Sequence, residues 1–226
     1  MEVLVIAAHP DDEVLGLGGT ICKLSSKGHN VHLLILTDGS SCQYKNSTNI
    51  DDVIEQKRKE TSLCAGILGI KTIDYGPFPD MKLDTVSHSD VNDFICGIIG
   101  KYKPEIVFTH FYGDVNKDHR CAFESTMVST RPVPGQIVKK VLLYRTPSST
   151  EWNAQNNCNS FCANVFVDVT RFESRKIEAI SFYKTELRDY PHPRSLEAIK
   201  LNDSSCGNSI GTLFAECFVL VRDIED

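Results

Sequence analysis

Val3-Leu4-Val5-Ile6-Ala7-Ala8-His9-Pro10-Asp11-Asp12-Glu13 runs from an unbroken apolar segment straight into an imidazole and three carboxylates. The apolar part predicts a buried strand. Charged groups at the end of such a strand are costly to desolvate unless something compensates them, and a bound cation does so. His9 with Asp12, or His9 with Asp11, offers nitrogen and oxygen ligands to zinc or another first-row ion and leaves one carboxylate over to handle protons. Two ligands do not make a site, and an Asp-Asp-Glu run can simply favour the positive end of a following helix.

A second stretch of the same kind lies further on. Asp114-Val115-Asn116-Lys117-Asp118-His119-Arg120 follows the strand-like run Ile106-Val107-Phe108-Thr109. In an open parallel sheet the loops after the strands' carboxyl ends converge on one edge, so residues about 110 positions apart can meet there. His119 is then the third ligand. Two histidines and one carboxylate with positions left for water and substrate are the set of a catalytic metal, not a closed structural one.

Working outward, strands are expected at Val3 to Ala8, Val31 to Leu36, Lys71 to Tyr75, Glu105 to Thr109, Val138 to Tyr144, Val165 to Val169 and Leu213 to Val221. Helices are expected at Val14 to Ser26, Asp51 to Leu68 with Gly69 as its stop, Val91 to Tyr102 and Arg120 to Thr130, and from a Thr170 cap to Lys184. Gly76-Pro77-Phe78-Pro79-Asp80 reads as a turn. This alternation predicts an α/β fold with a doubly wound, mostly parallel sheet carrying helices on both faces. The 226 residues fit a single domain, 1–226. Gly16, Gly18 and Gly19 miss the G-x-G-x-x-G spacing, and the carboxylates beside them would repel a pyrophosphate, so a dinucleotide site is disfavoured.

Hydrophobic residues at 41% and charged residues at 24% are ordinary globular usage, which sets aside disorder and fibrous architectures. A net charge of -6 gives no electrostatic reason for a nucleic-acid partner. No run is long enough to span a bilayer and no basic leader precedes Val3, so a cytoplasmic location is expected. The nine cysteines are an odd count scattered through the predicted elements, and most are expected as buried thiols. Cys158 and Cys162 lack a second pair or a nearby histidine to complete a metal set.

With these motifs placed, the chain resembles the PIG-L/LmbE-like de-N-acetylase family, whose members remove acetyl groups from N-acetylglucosamine units using zinc. The resemblance rests on Ala7 to Glu13, Gly18-Gly19-Thr20, Leu68-Gly69 and Asn116 to Arg120. It continues through Pro147 to Trp152, Asn164 to Asp168 and Pro191-His192-Pro193-Arg194-Ser195, which are similar to the bacterial and archaeal branch. The resemblance implies a Rossmann-like fold, His9, Asp12 and His119 as ligands of one zinc ion per chain, Asp11 as general base, and a trimer or hexamer. Iron or manganese are alternative occupants of such a donor set. Several relatives carry a histidine three residues before the last ligand. Here Asn116 stands there, able to donate a hydrogen bond to an oxyanion but not to shuttle a proton.

On this reading Asp11 serves as base and then as acid, Asn116 helps hold the oxyanion, and Asp118 orients a neighbouring ligand or donor from outside the donor set. The partner is an acetylated amino sugar. Lys57 or Arg58, Asp80, Asp84, Arg145, Glu151, Trp152, His192 and Arg194 are candidate substrate contacts, each weighed against an ordinary exposed role. Residues 38 to 50 are expected to select the substrate. The rivals are a non-haem iron oxygenase using a His/Asp/His triad and a non-catalytic sugar- or nucleotide-binding module. The alternation of strands and helices speaks against the first, because such triads usually sit in all-β barrels.

Overall fold

The computed structural model describes residues 1–42, 44, 49–156 and 158–225. Strands β1 (Glu2–Ala7), β2 (Asn30–Thr37), β3 (Thr72–Phe78), β4 (Ile106–His110), β5 (Lys140–Tyr144), β6 (Val165–Asp168) and β7 (Ala215–Asp223) form one sheet in the order β3-β2-β1-β4-β5-β7-β6. β1 lies inside it, parallel to β2 and β4. Its side chains alternate between the two faces. Val3, Val5 and Ala7 pack into one core with residues of α1 (Asp12–Ser26) and α2 (Ile50–Leu68), and with Ala179 and Ile180 at the end of α5 (Glu173–Ile180). Leu4, Ile6 and Ala8 pack into the other with α3 (His88–Tyr102) and α4 (Lys117–Ser129). All six are fully buried, each large aliphatic among them contributing about 1.5–3 kcal/mol, so the strand is apolar throughout because both its faces are covered.

The sheet is parallel from β3 to β5 and then changes. β7 runs antiparallel to β5, and β6 antiparallel to β7, so the last two strands depart from the βαβ alternation. β3 also continues through the expected turn at Gly76-Pro77-Phe78. A Cβ at Gly76 would lie 2.2 Å from the Leu36 carbonyl oxygen, and the pairing of β2 with β3 shifts register there, so only glycine admits that approach.

Other expectations need correcting. Thr170 does not cap a helix: its hydroxyl donates to the Phe214 carbonyl at 3.4 Å, and α5 starts only at Glu173 and ends before Lys184. A further helix, α6 (Leu196–Asn208), was not expected. Its polar residues and two small ones near its end weaken the apolar period, and Ser195 caps it by accepting the Ala198 N–H at 3.0 Å. Only Cys22, Cys64, Cys206 and Cys217 are buried thiols, whereas Cys96, Cys158 and Cys162 are exposed. Gly69 does end α2, with φ of 80°. Among the described residues no helix is long and apolar enough to cross a membrane.

Candidate metal centre

β1 delivers His9 to the sheet's carboxyl edge, and the chain then turns sharply into α1. Asp11 makes that turn with φ of 110°, a strained conformation for a residue with a Cβ, of the kind proteins keep where side-chain placement matters. α4 starts beside it from β4. There Asn116 caps the helix by accepting the Asp118 N–H on Oδ1 at 2.9 Å, which sets Asp118 and His119 in the first turn.

These two turns bring three side chains together. His9 Nδ1 lies 3.3 Å from Asp12 Oδ2 and 3.2 Å from His119 Nε2, and His119 Nε2 lies 3.4 Å from Asp12 Oδ1. Bonds of zinc to nitrogen and oxygen in a tetrahedral site set neighbouring donors about 3.3 Å apart. Asp12 Oδ1 is also buried with no hydrogen-bond partner among the described residues. An orphaned carboxylate oxygen 3.4 Å from the His119 nitrogen, on a carboxylate whose other oxygen lies 3.3 Å from that of His9, fits a divalent ion as its missing partner.

Around the donors lies a set of groups that orient them. His119 Nδ1 is 3.1 Å from Asp114 Oδ2, which also accepts from Thr150 Oγ1 at 2.7 Å, while Asp114 Oδ1 accepts from the Ser149 hydroxyl and from the Asn116 N–H at 2.8 Å. Burial pushes the Asp114 carboxyl up, but His119 and the two hydroxyls outweigh it and hold its pKa at about 2. Asp118 Oδ2 lies 3.1 Å from His9 Nε2, and its Oδ1 accepts the Leu83 N–H at 3.0 Å. Burial lowers the His9 pKa, yet Asp118 and Asp12 together raise it well above the ordinary value.

His110, at the end of β4, stacks on His119 with ring centroids 3.9 Å apart. Its Nε2 accepts the Ala8 N–H at 2.9 Å, and burial, followed by the charge of His119, drops its pKa to about 4. It is therefore neutral, and its 3.3 Å approach to Asp12 is not an ion pair. Its place at a strand end, like that of His9, was a signal in the sequence that went unused.

Beside the donors opens a pocket of about 270 Å³ lined by His9, Asp11, Lys57, Asp80, Asn116 and Arg194, together with Met81, Glu186 and Arg188. Asp11 is buried there; burial above all raises its pKa, while the Arg194 guanidinium 3.1 Å away opposes that rise and favours the carboxylate. Asp80 Oδ1 lies 3.5 Å from His9 Nε2, and its Oδ2 accepts the Cys42 N–H at 3.2 Å. Asn116 uses its oxygen as the helix cap, while its amide nitrogen, on the pocket wall, donates to Met81 Sδ at 3.5 Å.

The other predicted contacts stand apart from this pocket. Arg58 is exposed over the Tyr75 ring, and Asp84 is exposed and paired with Lys117 at 2.9 Å. Arg145 and Glu151 line a separate cavity of about 540 Å³. Trp152, 56% exposed, meets His192 edge-on at a centroid distance of 5.8 Å. Of the expected selector loop, Gly39 and Cys42 line the pocket, whereas residues 43 and 45–48 lie outside the described residues. Glu186 and Arg188 had no signal in the sequence, because nothing local ties an irregular segment after α5 to the end of β1.

A model of the family described as PIG-L, GlcNAc-PI de-N-acetylase, matches residues 4–129. The uncharacterized deacetylase YaiS of Escherichia coli is 29% identical over 155 residues, which are 65% of this chain and 75% of that protein. Diacetylchitobiose deacetylase of Thermococcus kodakarensis is 38% identical over 106 residues, 47% of this chain and 39% of that one. The crystal structure of the conserved protein TT1542 from Thermus thermophilus superposes with a TM-score of 0.78 at 25% identity, covering 99% of this chain and 96% of the other. The fold also matches N,N'-diacetylchitobiose deacetylase from Pyrococcus horikoshii, with a TM-score of 0.76 at 24% identity over 98% of this chain and 84% of that one. Since the family match spans more than half of the 226 residues and contains both turns that build the donor cluster, the chain belongs to the PIG-L family and is a hydrolytic deacetylase.

Proposed function

We propose that this protein removes the N-acetyl group of an N-acetylglucosamine-type amino sugar or its conjugate, releasing acetate and a free amine. The observation that carries the reading is the His9/Asp12/His119 cluster at tetrahedral donor spacing, with the unpartnered oxygen of Asp12 and the carboxylate of Asp11 beside it. These three residues would hold one zinc ion, and bound there it would supply a Lewis acid that polarises the amide carbonyl and acidifies water.

The chain's own groups do the rest. Asp11 accepts the proton of the attacking water and returns it to the departing amine, its buried side chain lining the pocket beside the donors. The Asn116 amide nitrogen donates to the oxygen that gains charge. Asp114 and Asp118 hold the rings of His119 and His9 through the nitrogens turned away from the cluster. Arg194 reaches Asp11 and is itself bonded to Glu186, both from the last quarter of the sequence, which supports residues 1–226 working as one unit. The similarity to diacetylchitobiose deacetylase supports an amino sugar as substrate.

Metal analysis of the purified protein followed by an acetate-release screen over N-acetylglucosamine compounds tests the reading. About one zinc per chain and acetate formation that a chelator abolishes are expected. Protein that takes up no divalent ion, or loaded protein that releases no acetate from any of the compounds, refutes it.

A further inference from the structure

We infer that Glu186 is a positioning residue for the base: it holds the Arg194 guanidinium against Asp11, with Lys57 as the fixed point behind it. This rests on the deacetylase reading above. Glu186 lies in the segment after α5 and is 7% exposed. Its Oε1 accepts from Nζ of Lys57, a buried residue of α2, and its Oε2 accepts from Arg194 Nη1 at 2.8 Å. The same Nη1 reaches Asp11 Oδ2 at 3.1 Å, and Arg194 Nε donates to Ser148 Oγ at 2.7 Å.

A terminal guanidinium nitrogen carries two hydrogens, so Nη1 serves both carboxylates at once. Arg194 is held at three points, by Asp11, Glu186 and Ser148, which leaves Nη1 and Nε committed to the protein and not to a substrate. Among the described residues it is also the one hydrogen-bond donor that the Asp11 side chain meets. The base therefore takes its orientation from Arg194. Arg194 in turn has two anionic partners, and only Glu186 is anchored to a further buried cation.

Without the Glu186 charge, Lys57 becomes a buried cation with no ion-pair partner among the described residues, and Arg194 loses the carboxylate that balances Asp11. The guanidinium then shifts, and the base shifts with it. A displacement near 1 Å at a reacting group costs on the order of a hundredfold in rate.

The test uses zinc-loaded full-length protein, Glu186→Gln, Asp11→Asn and the double variant, on an N-acetylglucosamine compound that the wild type deacetylates. Glu186→Gln should keep zinc content and lose on the order of a hundredfold in kcat at an unchanged KM. In the double variant Glu186→Gln should add nothing to Asp11→Asn, because it acts through that residue. A raised KM at unchanged kcat, or losses that simply add, would overturn the inference by making Glu186 or Arg194 a substrate contact. A crystal structure of Glu186→Gln provides a readout independent of turnover. Arg194 still bonded to Asp11 in it sinks the inference, whereas Arg194 displaced from Asp11 supports it even if the wild type releases no acetate, a result that would defeat only the deacetylase reading. Should Glu186→Gln fail to fold, Arg194→Lys, which keeps the charge but loses the fork, is expected to show the same kcat loss, and a kcat like that of the wild type would refute the role.

Discussion

Replacing Asp114 by asparagine removes one charge and half of an acceptor set from behind His119. The two carboxylate oxygens now serve four donors: the Asn116 N–H and the Ser149 hydroxyl on Oδ1, and the Thr150 hydroxyl and the His119 ring on Oδ2. Asparagine keeps one acceptor oxygen and turns an NH2 toward the other pair. The hydroxyls can rotate to accept from it, but the other two donors cannot. If the NH2 faces Asn116, a backbone N–H is left without its acceptor at a cost of about 1–3 kcal/mol. If it faces His119, the ring moves its proton to Nε2, the nitrogen that looks at His9 and Asp12, and that ligand is blocked. In both orientations the negative charge behind His119 is gone. Losing such a partner lowers ion affinity by about 10- to 100-fold, or about 1.4–2.7 kcal/mol. Titration of the zinc-depleted variant against a chromophoric chelator measures this directly. An unchanged zinc Kd would refute the view that Asp114 fixes the His119 tautomer and that His119 is a ligand.

Asp11→Asn should keep its zinc while kcat falls by about 10²- to 10⁴-fold, read by acetate release; near-normal turnover removes Asp11 as base. Gly16→Ala should destabilise the protein by about 1–3 kcal/mol in denaturant titration, because its Cβ would lie 2.3 Å from the ring of Tyr144, which is fully buried and bonded to the Ile6 carbonyl. A midpoint equal to that of the wild type would show that this ring can yield. Burial, and then the neighbouring Asp203 carboxylate, raise the Glu173 pKa from 4.5 to about 8, beside Lys176 and Glu216. The folded protein then holds a proton that the unfolded chain releases, so this contribution is complete below pH 4.5 and disappears as pH rises through about 8. Glu173→Gln should flatten the fall of Tm over that window, and an unaltered pH profile would count against a protonated Glu173.

Much of this protein could be read along the chain because its strongest signals are local. An apolar run closed by His9 to Glu13 requires a buried strand whose polar end is compensated. A second run closed by Asp114 to Arg120 repeats the statement, and helix-period stretches between them require crossovers. The weak points were of another kind. β3 runs on through Gly76-Pro77 because a neighbouring backbone admits it, and α6 draws its stability from packing more than from its own pattern.

By itself, then, the order of residues determined the alternating α/β architecture and which side chains end up at one edge of the sheet, since both follow from burial and from how parallel strands are connected. Tertiary structure alone decided that Asp12 meets the two imidazoles, that Asp114 stands behind one of them, and that Lys57, Glu186 and Arg194 close in on Asp11 from separate segments. The reason is range. Hydrophobic period and capping act within a few residues, whereas a pocket's electrostatics depend on ångström-scale distances between groups that share no local pattern.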